Sequence, residues 1–306
     1  MTQQYLQYLF TYFVNVVVIN LIGMLAIYVI TGLTGMFSMG QAAFMAIGEY
    51  TAGLLAKRLG FSMWLNIPCG IVVGMLFGFL IGLPVVKLRR DYVSIITILF
   101  GEAVIAFLNN AASLTGGALG LMNVPKETSK TMLIIILIII VFFIANFKKS
   151  RFGRQCLAVK SDELAAAAMG INVVRIKLTA FMLAGAITSL AGVLWVHTTT
   201  YIDSSSFGWA QSSTWILYVF FGGVNSLTGS IFGGAVLGML QELMRFSNEL
   251  RVVFYCVLIL LVVNFRSQGL FGTTELDWQT IKKIGKWISG KLGRKQNGKE
   301  GPGNAS

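Results

Sequence analysis

The chain is poor in the residues that carry most enzyme chemistry. It has one histidine, His197, and three cysteines, Cys69, Cys156 and Cys256, in 306 residues. The cysteines lie far apart, two of them in apolar runs, which excludes a metal-ligand spacing and a disulfide framework. His197 is followed by Thr198-Thr199-Thr200-Tyr201 and has only Asp203 near it, so it is read as a polar interfacial residue and no metal site is assigned. No nucleophile elbow, zinc-protease helix or paired-carboxylate cluster occurs, so no catalytic residues are assigned. Charge is also scarce: Asp, Glu, Lys and Arg make up 12% of the chain, against about 25% in soluble domains.

What the chain has instead is apolar length. It is 56% hydrophobic, with a mean hydropathy of +0.75. Nine apolar segments stand out, at about 8–31, 39–56, 64–86, 92–110, 131–147, 178–198, 209–224, 227–245 and 250–265. Crossing a bilayer takes roughly 20 apolar residues as a helix. The expected fold is therefore all-α, a polytopic membrane bundle of about nine spanning or partly spanning segments, with a membrane domain over 1–270. The alternating ten-residue pattern of a transmembrane β-barrel is missing. The N-terminus, MTQQYLQYLF, lacks the basic region of a cleavable signal.

The net charge of +12 is distributed in blocks. Of 24 basic residues, seven lie in 148–177, seven in 278–306 and three in Lys87–Arg90. Such blocks set membrane orientation, and they do not form the stripe that tracks nucleic acid. Placing 148–177 and the tail in the cytoplasm puts the N-terminus outside and divides the basic residues 18 inside to 6 outside. The tail, 271–306, spaces Trp278, Ile281, Ile284, Trp287, Ile288 and Leu292 helically among lysines, the pattern of a basic amphipathic helix on the inner membrane surface. Its Gly293-to-Glu300 run has P-loop spacing, but Glu300 stands where a magnesium-binding hydroxyl is needed and no strand precedes it. No nucleotide or other cofactor is assigned to this chain.

Residues 148–177 form a basic polar loop between two apolar runs. Within it, Ser161 to Met169 reads as a short helix: Ser161 as N-cap, Asp162 and Glu163 in the first turn, four alanines, and Gly170 as terminator. A small capped helix held out by a membrane domain suits the docking of a soluble partner. Glycine is dense in two places, Gly32–Gly48 and Gly222–Gly238, which allows either close helix packing or unwound backbone. Segment 39–56 either crosses fully or is a broken helix. Glu49 and Glu102 lie in apolar segments, where an acid lines a pathway or makes an interhelical hydrogen bond or ion pair.

Four stretches together carry a family resemblance. They are Gly32 to Gly48 (GLTGMFSMGQAAFMAIG); Leu88 to Tyr92 (LRRDY) with Phe100-Gly101-Glu102 and Leu114 to Gly117 (LTGG); Gly153 to Glu163 (GRQCLAVKSDE) with Met169 to Asn172 (MGIN); and Phe221 to Gly229 (FGGVNSLTG). In this order they resemble the inner-membrane permeases of branched-chain amino-acid ABC importers, the LivM-like member of the LivH/LivM pair, over roughly 70% of the chain. Gln41 stands where that family usually has His, Glu49 where a small residue is usual, Cys156-Leu-Ala where Leu-Arg-Ala is usual, and Asn225 where Gly is usual. The resemblance implies a permease with no enzyme activity, working by alternating access. It would sit beside a homologous second permease, two cytoplasmic ATPases that hold the ATP and magnesium, and an extracytoplasmic solute-binding protein. It implies ATPase coupling through Gly153, Arg154, Asp162, Glu163, Ala165, Ala166, Met169 and Gly170. It implies a translocation path near Gly35, Gly40, Gln41, Glu49, Glu102, Gly223 and Gly229. Ribose-type sugars, urea or short amides are alternative solutes, and a stand-alone channel or secondary carrier is an alternative class.

Overall fold

The computed structural model describes residues 2–244 apart from Arg89, together with Val257, Leu260, Gly269 and Gly272. The ninth apolar segment and the basic tail lie outside the described residues. The other eight segments are all helices: α1 (Thr2–Ile27, continued by a π-helical segment Tyr28–Thr34), α2 (Gln41–Leu59), α3 (Met63–Val85), α4 (Arg90–Asn110), α6 (Lys130–Lys149), α9 (Val173–Thr199), α10 (Trp209–Gly222) and α11 (Leu227–Leu243). Short helices α5 (Ala112–Thr115), α7 (Arg151–Ser161) and α8 (Glu163–Ala168) lie between them. Two two-residue strands, β1 (Leu121–Met122) and β2 (Tyr201–Ile202), pair antiparallel with Leu121 opposite Ile202. Among the described residues, five segments are long and apolar enough to span a bilayer: Tyr12–Thr34, Met63–Val85, Tyr92–Asn110, Lys130–Lys149 and Val173–Thr199.

The centre of the bundle is α9, packed against both α2 and α3, which also pack on each other. Small residues make this possible. On α3, Gly70, Gly74, Gly78 and Gly82 recur every fourth residue and all are buried. They meet Val193, Ser189, Met182 and Leu178 of α9 in turn, which fixes the two helices as antiparallel. The Ser189 hydroxyl donates to the Gly70 carbonyl at 2.7 Å across this seam. Gly48 of α2 sits on the same Ser189, and Gly192 sits on the backbone of Met45 and Glu49. With no hydrophobic drive between helices in lipid, such backbone contact is what gives dispersion and polar bonds their reach.

Gly82 beside Leu178, and the Lys160 and Lys148 contacts to Gly32 and Asn225, gather the ends of α1, α3, α6 and α10 and the start of α9 on one basic end. His197 lies at the other end. It is fully buried, and so is not the interfacial residue expected from its neighbours. Its Nδ1 pairs with the Pro125 carbonyl at 3.0 Å and its Nε2 with the Asn66 side-chain amide at 3.1 Å. The buried ring is satisfied by these two bonds, as a closed interior requires. Among the described residues, no group of His, Cys, Asp and Glu is placed to hold a metal.

Candidate functional site

At the basic end, residues 148–177 are mostly helical, and they contain one helix more than the sequence suggested. Ser150 caps α7, its hydroxyl accepting from the Gly153 amide at 3.1 Å. Gly153 is buried at the α6–α7 corner, where a Cβ would strike the carbonyls of Phe147 and Lys148. Arg154 is exposed and donates to the Lys149 carbonyl at 2.8 Å. Ser161 ends α7 and does not cap α8; Asp162 does. The Asp162 side chain accepts from the amides of Leu164 (2.8 Å) and Ala165 (3.1 Å). Its carboxylate is the stronger acceptor at a positive helix start. Gly170 terminates the helix at φ 82° with no neighbour near its missing Cβ, as read from the sequence.

Helix α8 keeps only Ala166 buried, at 5% exposure. Leu164 and Met169 are 84% and 83% exposed, and Ala165, Ala167 and Ala168 are exposed between them. This apolar face lies beyond the membrane-spanning helices. Leu164, its most exposed member, was not among the coupling residues read from the sequence; an exposed leucine is indistinguishable by pattern from a core one. Glu163 is turned to the bundle: its Oε2 pairs at 2.6 Å with the Lys177 ammonium of α9, which is 2% exposed.

Cys156 is fully buried on the inner face of α7. Burial pushes its thiol from the ordinary 9.0 up to about 12. The folded state therefore prefers the protonated thiol, a contribution present below the ordinary value and lost as pH rises above it. In detergent at about pH 8, iodoacetamide will leave Cys156 unmodified while the chain is folded and alkylate it fully after unfolding. Peptide mass spectrometry reads the result; rapid alkylation in the folded chain would contradict the burial.

The second part of the site is a break in the bundle. Gly35, at φ 71°, stops the π segment, its amide bonding the Thr31 carbonyl at 3.2 Å. Residues 35–40 then run as non-helical chain with alternating burial: Met36, Ser38 and Gly40 face in, while Gly35, Phe37 and Met39 are half-exposed. The start of α2 is held by three helices. The Met39 amide donates to Thr97 of α4 (3.1 Å), the Ala42 amide to Ser212 of α10 (2.8 Å), and Thr188 of α9 to the Gln41 side chain (3.2 Å). Thr97 is about 10 Å along α4 from the basic end, Ser212 about 15 Å and Thr188 about 22 Å by helical rise. Helix α2 therefore begins well inside a layer about 30 Å thick. Helix α2 itself is continuous from Gln41 to Leu59, so the break lies ahead of segment 39–56 and not within it.

The expected pathway residues separate into two groups. Gly40 and Gln41 are enclosed by Thr97 and Thr188. Glu49 is fully buried at the α2–α9 seam, and among the described residues neither carboxylate oxygen has a hydrogen-bond partner. Gly223, at φ 120°, and Gly229 form the close turn between α10 and α11, where Gly222 sits directly on the Gly229 backbone. Glu102 alone of the two acids is exposed, about 18 Å along α4. It lies beside Gly208 at the head of α10, and residues 35–40 run between the same two helices.

An unwound segment ahead of α2 and an exposed acid between α4 and α10, with a short exposed apolar helix at the basic end, are the features of this end of the bundle. Residues 9–263 match the family described as "Branched-chain amino acid transport system / permease component". The chain belongs to this permease family. It is a family of membrane transport subunits, not of enzymes. The permease is 31% identical over 271 residues to the high-affinity branched-chain amino acid transport system permease protein LivM of Salmonella typhimurium, and equally to LivM of Escherichia coli; each match covers 78% of this chain and 64% of the relative. The permease thus spans less than two thirds of those relatives' length. It is 24% identical over 270 residues to the permease protein LivH of E. coli, covering 79% of this chain and 87% of the relative. A solved structure, PsaBC from Streptococcus pneumoniae in complex with Fab, is similar over 86% of this chain and 95% of that one at 19% identity, with a TM-score of 0.48, a likeness too low to carry an argument.

Proposed function

We propose that this chain is the permease subunit of an ATP-driven importer for branched-chain amino acids, and that its translocation path runs along the face formed by residues 35–40, α4 and α10. One observation carries the reading. Non-helical backbone with half-exposed residues lies at membrane depth beside an exposed carboxylate, Glu102. Lipid cannot satisfy unwound backbone and does not accept an acid at low cost. That face must therefore meet either another protein or water. A homologous second permease across a polar path supplies both. Two cytoplasmic ATPases, which hold ATP and magnesium, dock on α8, and an extracytoplasmic binding protein delivers the solute to the far side. In this reading the basic end and the tail are cytoplasmic and the N-terminus is outside. Alternating access then follows if the ATP-bound partners favour one of two packings of the path face.

The test is uptake by the assembled transporter in proteoliposomes. Glu102→Leu lowers ATP-dependent leucine uptake by at least about tenfold, an acid-to-apolar change at a conducting face, while subunit assembly stays normal. Full uptake by that variant would remove Glu102 from the path. Competition by leucine but not by ribose or urea fixes the solute class. Uptake persisting without any ATPase would replace the importer with a channel or carrier.

A further inference from the structure

We propose that Lys160 and Lys148 are positioning residues that transmit movement of the docking helix to the two glycine turns of the path face. The proposal rests on the importer reading above and adds the route of coupling.

Lys160 lies in the last turn of α7, two residues before the Asp162 cap of α8. Its ammonium donates to the Gly32 carbonyl and to the Asn225 side-chain oxygen, both at 2.7 Å. Gly32 belongs to the π segment that ends where the chain unwinds at Gly35. Asn225 sits in the turn between α10 and α11. Lys148, at the end of α6, reaches the same place: its ammonium donates to the Asn225 carbonyl at 2.9 Å and to the Tyr28 hydroxyl at 3.0 Å, and lies 5.7 Å from the Tyr28 ring centre. Two cations thus join α6 and α7 to the ends of the π segment and α10.

The chemistry favours this arrangement. The Gly32 carbonyl lies near the end of its helical segment, where carbonyls lack intrahelical partners and carry partial negative charge, and at Gly32 and Asn225 alike an ammonium donor makes the stronger, charge-assisted bond. The bonds are also short-ranged, since N···O contacts beyond about 3.5 Å no longer count as bonds. An ångström of movement in α7 therefore either breaks two bonds at once or draws Gly32 and Asn225 with it. On the other flank of the handle, the Glu163–Lys177 pair ties α8 to the first turns of α9. A push on α8 accordingly reaches the central helix through one charged tie, and both sides of the unwound segment through the other.

The deciding measurement is solute moved per ATP hydrolysed, in the full transporter, alongside ATPase association and thermal stability. Lys160→Met is expected to keep ATPase association and hydrolysis but lower transport per ATP at least about fivefold, and Lys160→Arg, which restores a donor, to recover half or more of it. Asn225→Ala is expected to lower the ratio at least about twofold, with little further loss when combined with Lys160→Met, because coupled residues are non-additive. A wild-type ratio in Lys160→Met overturns the proposal. If that variant is unstable, a wild-type ratio in Asn225→Ala overturns it. A wild-type assembly that never couples ATP to uptake would instead reject the importer reading.

Discussion

In the proposed importer, Leu164→Asp combined with Met169→Asp will abolish association with the ATPase subunits and, with it, ATP-driven uptake. Both side chains stand more than four-fifths exposed, Leu164 on α8 and Met169 at its C-cap, beyond the ends of the long apolar helices. Neither supports the bundle: α8 is held by the Asp162 cap, by Ala166 beneath it and by the Glu163–Lys177 pair. The substitutions should thus leave folding intact and act on the interface alone. Central apolar anchors of an interface cost about 2 kcal/mol or more each when removed, a factor of roughly 30 per residue, and aspartate adds a buried unpaired charge. Co-purification in detergent measures the loss, and near-UV circular dichroism checks the fold. Unchanged association would show that the partners dock elsewhere.

Gly192→Val will prevent the bundle from assembling. A Cβ at Gly192 would lie inside the van der Waals shell of the Met45 carbonyl and 2.8 Å from the Glu49 amide nitrogen. Both obstacles are backbone, so no side chain can swing aside; α2 has to leave α9. Because α2 is already held at its start by Thr97, Ser212 and Thr188, the displacement breaks those bonds too. The cost falls among the severe core substitutions, above about 4 kcal/mol. The measurement is the yield of monodisperse protein after solubilisation, expected to fall below about a tenth of wild type. Gly238→Ala is the control: its Cβ would be 3.5 Å from Val17, ordinary contact, and helix propensity then favours alanine by about 1 kcal/mol. A well-behaved Gly192→Val protein would mean that the α2–α9 seam is not tight.

How legible was this from the sequence? The eight described apolar segments were, to within a few residues at most ends, because lipid demands continuous apolar helices. The short helix α8 was legible from its alanines and Gly170, but its cap was misplaced by one residue, since Ser161 and Asp162 are both acceptable caps and only the backbone decides between them. Helix α7 was hidden because its polar sequence has no apolar run, although Phe152, Cys156 and Val159 do follow a helical spacing. The Gly70, Gly74, Gly78 and Gly82 ladder had a plain four-residue period and could have been found by it. Contacts between distant segments could not be read in this way. Nothing local to Lys160 points to Gly32, and nothing local to His197 points to Asn66.

The packing of α9 against both α2 and α3 also constrains how the chain is made. Residues 41–85 enter the membrane early in synthesis, yet the surface they offer α9 stays open until residue 199, roughly two thirds of the chain, has left the ribosome, given that chains form from the N-terminus at about 5–20 residues per second. For those seconds the glycine edge of α3 faces lipid or an insertion factor with its carbonyls poorly shielded. Biogenesis of this chain is therefore most vulnerable between the third and sixth long helices, and a slowed translation rate there should raise its degradation before any loss of the finished protein is seen.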